Sequence, residues 1–378
     1  PAPSLAMPSY LVPQLNPNTG TSVVRVTDPG TFGASDVKTL RHAYAKSQPW
    51  NADGSLLLLG FTYPGYLLDG RSFRYLRRVN QPSDAVWSNT DPNLMYGTAA
   101  DTGNFVSYDV RTNQSTVLRA FQQYTALRLG SGEGNLGNDD RRVALFGKNV
   151  QGNVDAFVYD LVTDSVTGVL SLPLDWSQVQ NMASSMSQSG SFVVIEYGSG
   201  GTGFMQGKKV HDIQMNLLRT ISPGTGHSDF GYDTSGNEVM VAADDPFGGN
   251  DRSFWMIRLS DGVRTKVLDG SAIGWQTHVS CRATSRPGYC YVSTFFANPA
   301  SDYDWAPLYN QGFAIRLDGS LRIEPFTQLM HGANTDYRRQ PHIVPNRDGS
   351  LVLWASDWND PSADATVHTY VAGRPLTQ

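Results

Sequence analysis

Histidine and cysteine are the residues here whose types and spacing best suit chemistry. The stretch Thr277-His278-Val279-Ser280-Cys281-Arg282, closing at Gly288-Tyr289-Cys290, holds both cysteines of the chain and one of its seven histidines. Imidazole and thiolate together suit a zinc ion, which takes about four nitrogen or sulfur ligands in a tetrahedron. His278 and Cys281 make a weaker signature than a paired C-x2-C motif. Three states of the stretch therefore stay open: a zinc site, a disulfide between Cys281 and Cys290 in a secreted protein, or two thiols without a role. A metal held by His278, Gln340 and His342 with added oxygen ligands would suit manganese or calcium instead.

Other reaction types leave little trace. There is no G-x-S-x-G elbow, and Gly198-Ser199-Gly200-Gly201-Thr202-Gly203 is glycine-rich but opens no helix, so it makes no phosphate loop. Asp139, Asp140 and Asp229 do not form an acid pair for glycoside hydrolysis. Histidine, tyrosine and arginine suit β-elimination from a uronic-acid polymer. That reaction neutralises a carboxylate, removes the adjacent carbon-bound proton and protonates the leaving oxygen.

Composition bounds the scaffold that must gather these groups. With 37 glycines, 21 prolines and only 17% charged residues, the chain suits many short strands joined by polar turns. A formal charge of −5 without a basic block argues against nucleic acid as a partner. No apolar run approaches the roughly 18 residues of a spanning helix. The chain opens at Pro1 without a basic leader and apolar core, so either a signal peptide has been removed or there was none.

A signature recurs along the chain: a small polar residue or histidine, a D/N/S-G type turn, then a short apolar strand. Its turns fall at residues 48–54, 87–93, 135–140, 186–190, 232–236, 281–288 and 345–349. The strands that follow lie at 56–59, 94–96, 143–146, 192–195, 239–241, 290–292 and 351–354. The spacing averages about 50 residues, the length of one four-stranded propeller blade. The pattern predicts an all-β, seven-bladed β-propeller of about four antiparallel strands per blade. It forms one domain over residues 22–378, after an N-terminal extension of residues 1–21. Residues 22–27 are expected to complete the last blade and close the ring, since open sheet edges are a liability. An unclosed β-sandwich is the competing architecture.

In such a ring the inner strands and the loops feeding them point at a central axis. Those positions hold His42, Tyr44 and Gln48 in blade 1, Trp87 in blade 2, Asn135 in blade 3 and Tyr197 in blade 4. Blade 5 offers His227 and Asp229, blade 6 His278, Cys281 and Arg282, and blade 7 Gln340 and His342. Four of the seven histidines thus come from equivalent positions. His211 and His368 lie in outer-strand contexts and His331 in a loop.

The motifs His42-Ala-Tyr44-Ala-Lys-Ser-Gln48-Pro-Trp-Asn51-Ala-Asp-Gly54, Gly226-His227-Ser-Asp229, His278-Val-Ser-Cys281-Arg282 and Gln340-Pro-His342 resemble those of the seven-bladed propeller polysaccharide lyases, the group of oligogalacturonate and ulvan lyases. In the oligogalacturonate branch the resemblance implies His227 as base and His278, Gln340 and His342 as ligands of a divalent metal. In the ulvan branch it implies His42 and Tyr197 as catalytic residues, an arginine that neutralises the carboxylate, and structural zinc at His278 and Cys281. The chain departs from both. Phe61-Thr-Tyr63-Pro-Gly-Tyr66 stands where the ulvan pattern has a second early histidine, and the last-blade metal motif is one histidine short.

The expectation is a secreted or periplasmic, monomeric lyase acting on an acidic polysaccharide, with no nucleic-acid or membrane partner. His42, Tyr44, Tyr197, His227 and Arg282 would be catalytic, and Gln48, Trp87 and Asn135 would bind substrate. His278, Cys281, Gln340 and His342 would hold zinc, or manganese or calcium. The alternatives are a non-catalytic propeller that binds carbohydrate or protein on the same face and, third, a glycoside hydrolase.

Overall fold

The computed structural model describes residues 5–130, 134–197, 205–224, 226–243, 246–247, 251–273, 276–295, 306–332 and 336–373, with Gln276 by its backbone alone. Its strands form seven antiparallel sheets, the blades of a seven-bladed β-propeller. Blades 2 to 6 each have four strands in sequence order. Their inner strands are Ser83–Trp87, Tyr124–Arg128, Ala183–Met186, Ser228–Tyr232 and Gln276–Ser280. Apolar side chains on both faces of the blades pack against neighbouring blades, as in the cluster of Val239, Val241, Val279, Val292 and Phe313 between blades 5 and 6. Among the described residues the only helices are short 3-10 turns, and no helix is long and apolar enough to cross a membrane.

The recurring turn now has a physical meaning: it joins the inner strand of a blade to the second strand. Its glycines Gly54, Gly190, Gly236, Gly288 and Gly349 all take left-handed φ between +70° and +84°, a conformation that penalises a Cβ. Blade 3 has Asp140 at that position, with φ of +57°. The Asp140 carboxylate accepts hydrogen bonds from Ser88 Oγ, the Asn89 and Thr90 backbone amides, Asn89 Nδ2 and Thr90 Oγ1. It thereby shapes the blade 2 turn, whose copy of the signature is the loosest.

The ring closes as expected. Thr21–Arg25 pairs antiparallel with His368–Gly373, next to Leu351–Ser356 and Val344–Pro345. Gln14–Asn16 adds a fifth, outermost strand, so part of the segment expected to stand outside the propeller is in its sheet.

Blade 1 is the irregular one. Its sheet has three strands, Leu56–Leu59, Gly65–Asp69 and Tyr75–Val79. The inner position is taken by residues 41–50, which form no strand and reach the sheet through the single bridge Trp50 to Leu57. Because chain reversals alternate between the two ends of a four-stranded blade, the inner-to-second turns share one face of the disc. The segments entering the inner strands open on the other.

Candidate functional site

At the entry face, blades 1, 5, 6 and 7 bring His42, Tyr44, His227, His278, Gln340 and His342 together. The His278 ring stacks on His342 with centroids 3.9 Å apart, and His227 lies 4.1 Å from His278. The Tyr44 ring meets His342 and His278 edge-on, at 4.8 and 5.5 Å. Phe295 stacks on His278 at 5.2 Å, and Tyr337 stands edge-on to His342 at 5.0 Å.

Local structure explains the placement. His278 sits on the inner strand of blade 6, His227 immediately precedes that of blade 5, and His342 stands two residues before that of blade 7. A 3-10 turn at Tyr337–Arg339, capped by the Asp336 side chain, delivers Gln340 and then His342, which takes a left-handed φ of +46°. Such a backbone is strained for a residue with a Cβ, and strain of this kind gathers at functional sites. The turn leaves carbonyl groups without helical partners, and Arg41 supplies them. Its Nη1 donates to the carbonyls of Tyr337, Arg338 and Gln340, and its Nε to that of His42.

Hydrogen bonds fix the tautomers. His42 Nε2 lies 2.6 Å from the His342 carbonyl oxygen, which can only accept, so Nε2 carries the hydrogen and Nδ1 keeps its lone pair. His278 Nε2 donates to Gln340 Oε1 at 2.9 Å, again leaving Nδ1 bare. Both Nδ1 atoms, and both ring nitrogens of His342, are buried and find no hydrogen-bond partner among the described residues. Burial, reinforced by the Arg41 guanidinium, pushes the His42 imidazole down to about 3. Burial, then His227, holds His278 well below the usual range, and burial, then Arg41, does the same for His342. Burial lowers Arg41 itself to about 10. The result is a set of neutral imidazoles with bare nitrogens. His227 is half-buried where the other three are at most 1% exposed, so it is the imidazole most open to a substrate.

Lys46, Glu196 and Lys208 form a separate buried cluster of charges. Glu196 accepts from both ammonium groups and from Ser228 Oγ at 2.9 Å. Burial alone would raise its carboxyl, yet Lys208 and Lys46 hold it below the ordinary carboxylate range.

The remaining expected site residues lie elsewhere. Cys281 is bonded to Cys290 in a disulfide within the blade 5–6 core, so it offers no thiolate, and zinc shared by His278 and Cys281 is excluded in this state. Arg282 makes a bidentate pair with Asp229, Nη2 to Oδ1 at 2.8 Å and Nε to Oδ2 at 3.0 Å, and is 5% exposed. It is a structural cation at the other end of its inner strand, about 13 Å along the chain from His278. The Tyr197 ring joins the core between blades 3 and 4, because strand alternation turns Tyr197 to that face of blade 4 and Glu196 to the other, where it meets Ser228 of blade 5. Asn135 Nδ2 donates to the Lys46 carbonyl. Gln48 Nε2 donates to the carbonyls of Arg282 and Pro345. Trp87 donates its indole N–H to Pro49, and both Gln48 and Trp87 line a cleft of about 300 Å³ that His42 also borders. Gly198 to Gly203 lie outside the described residues. His211 and His368 fall on third strands, as expected from their contexts.

The chemistry of this donor set fits a divalent cation in part. Three imidazoles with bare nitrogens and an amide oxygen are metal-ligand types. The rings stack rather than converge, however, and among the described residues no group of three or more His, Cys, Asp or Glu is arranged to hold an ion.

Solved structures share this architecture. An oligogalacturonate lyase in complex with manganese aligns with a TM-score of 0.64 at 15% identity, over 97% of this chain and 96% of that one. A second oligogalacturonate lyase, from Vibrio parahaemolyticus, gives 0.63 at 13% identity over 97% and 96%. A chain of the mitotic checkpoint complex gives 0.53 at 12% identity over 98% and 96%. At these identities the likeness is one of fold. No protein-family model and no curated protein matches the sequence.

Two outcomes follow from the buried charges. Arg282→Ala strands the Asp229 carboxylate and should cost about 3–5 kcal/mol in urea unfolding, whereas a negligible loss would deny the pair its structural role. In metal-free protein the depressed imidazoles bind protons only on unfolding. Their stabilisation is therefore complete above the ordinary value of 6.5 and lost as pH falls towards about 3 for His42. His42→Gln should remove about one proton from the slope of unfolding free energy against pH in that window; an unaltered slope would contradict a neutral, buried His42.

Proposed function

We propose that this propeller is a polysaccharide lyase that cleaves a uronic-acid-containing glycan by β-elimination at the entry face. The observation that carries the reading is the convergence of four imidazoles and Tyr44 from blades 1, 5, 6 and 7, three of the imidazoles buried, neutral and with bare nitrogens. His227, the accessible imidazole, takes the proton from the carbon next to the uronate carboxylate. The carbon–carbon double bond forms as the glycosidic carbon–oxygen bond breaks, and the Tyr44 hydroxyl returns a proton to the leaving oxygen. His42 holds the His342 backbone, and the His342 ring meets Tyr44 edge-on, so His42 acts on Tyr44 through His342.

A divalent cation, manganese rather than thiolate-bound zinc, would be held by His278, His342 and Gln340 with His227 beside them. When bound it would neutralise the uronate carboxylate, a role Arg282 does not fill because it pairs with Asp229. The fold shared with a manganese-bound lyase supports this reading. An acidic polysaccharide as partner, a monomeric state and a secreted or periplasmic setting belong to the same proposal, the last supported by the disulfide. The engagement of Arg282 by Asp229 favours a second reading, a propeller that binds glycans without cleaving them.

Incubation with acidic polysaccharides and manganese should generate the ultraviolet absorbance of unsaturated uronates. His227→Ala should lower the rate about 10²–10⁴-fold while leaving thermal unfolding unchanged. Binding without new absorbance across the panel would select the second reading, and full activity in His227→Ala would remove His227 from the mechanism.

A further inference from the structure

The cleft beside His42 runs between the inner segment of blade 1 and the inner strand of blade 2, and its chemistry differs from that of the histidine cluster. Two aromatic residues stand at its rim on the loop between the second and third strands of blade 1: Tyr63 is 70% exposed and Phe61 36%. Trp87 and Gln81 line its wall. Both are held by the fold, Trp87 through its indole N–H to Pro49 and Gln81 through the Gly65 amide.

Charge is sparse. Among the described residues lining the cleft there is no lysine or arginine, and the single carboxylate is Asp84. One oxygen of Asp84 accepts from the Leu129 amide at 3.0 Å, and the residue sits at a left-handed φ of +51°. Burial raises its carboxyl above the ordinary range. A uronate ring placed here would bring a second carboxylate beside Asp84 and meet no lysine or arginine in the lining, the cations nearby being Arg41 over the Phe61 ring, already bonded to backbone carbonyls, and Arg128 near Asp84. An uncharged sugar meets the opposite conditions. Its C–H faces can lie on exposed aromatic rings, and its hydroxyls can donate to a carboxylate and exchange hydrogen bonds with an amide.

We propose that this cleft is a subsite for an uncharged sugar ring, adjoining the uronate that reacts at His227. It rests on the elimination reading for its neighbour but not for its own chemistry. The preferred polymer would then carry neutral sugars next to its uronates rather than uronates alone. Tyr63 supplies the stacking face and Asp84 the hydroxyl acceptor.

The test is direct binding by NMR titration of the intact protein with neutral tetrasaccharides of glucose, xylose, galactose and mannose, alongside tetragalacturonate. At least one neutral probe is expected to bind, and Tyr63→Ala should weaken it about tenfold, the worth of one aromatic face. Asp84→Ala should weaken the same probe. Because Tyr63 is largely exposed, its variant should unfold like the parent, so lost binding would not reflect lost fold. If no neutral tetrasaccharide binds, or if tetragalacturonate binding is the one that Tyr63→Ala weakens, the proposal is overturned. Neutral binding at Tyr63 without any elimination product would leave the subsite standing and remove the lyase. Cleavage of a pure polyuronate with no neutral binding would do the reverse.

Discussion

Residues 41–50 occupy the inner wall of blade 1 without a β-ladder, and the candidate site depends on how they are held. Side chains do what backbone pairing does in the other blades. Arg41 ties the segment to the carbonyls of residues 337, 338 and 340, His42 to that of His342, and Gln48 to blades 6 and 7. Lys46 reaches across the channel to Glu196 of blade 4, and Asn135 of blade 3 holds the Lys46 carbonyl. A regular strand would have fixed its side chains alternately towards the two neighbouring blades. The irregular segment instead places His42, Tyr44, Lys46 and Gln48 individually, each against a different blade.

That arrangement carries an electrostatic cost with a functional consequence. Arg41 is 1% exposed, bonded to neutral carbonyls and set over the rings of Phe61 and Tyr337. It lowers the proton affinity of His42 and His342, which burial has already depressed. Imidazoles kept neutral in this way retain their lone pairs for a proton or a metal under mildly acidic conditions, where an exposed histidine would be charged. A different rule holds nearby, where Asp229 pairs with Arg282 and Glu196 with both Lys46 and Lys208. Neutral imidazoles and paired charges thus form two distinct buried clusters.

The fold was legible because its punctuation is local. Gly54, Gly190, Gly236, Gly288 and Gly349 mark turns that need left-handed backbone, and their spacing counts the blades. Equivalence between blades also placed His42, His227, His278 and His342 correctly at one mouth. The same logic failed for Arg282 and Cys281, which lie near a turn at the opposite end of the inner strand. Their partners, Asp229 and Cys290, were visible in sequence but not as partners. Tyr197 was lost to a single residue of strand alternation. Arg41 had a signal, an arginine adjoining a candidate histidine. The bond from Lys46 to Glu196 spans 150 residues and left none.

The bare nitrogens of His278 and His342 are the core of the account, and anomalous diffraction from crystals grown with manganese examines them directly. One peak bonded to His278, His342 and Gln340 is expected, with the two rings turned from their 3.9 Å stack to face it. Crystals that show the stack intact and no peak at the funnel mouth would contradict it.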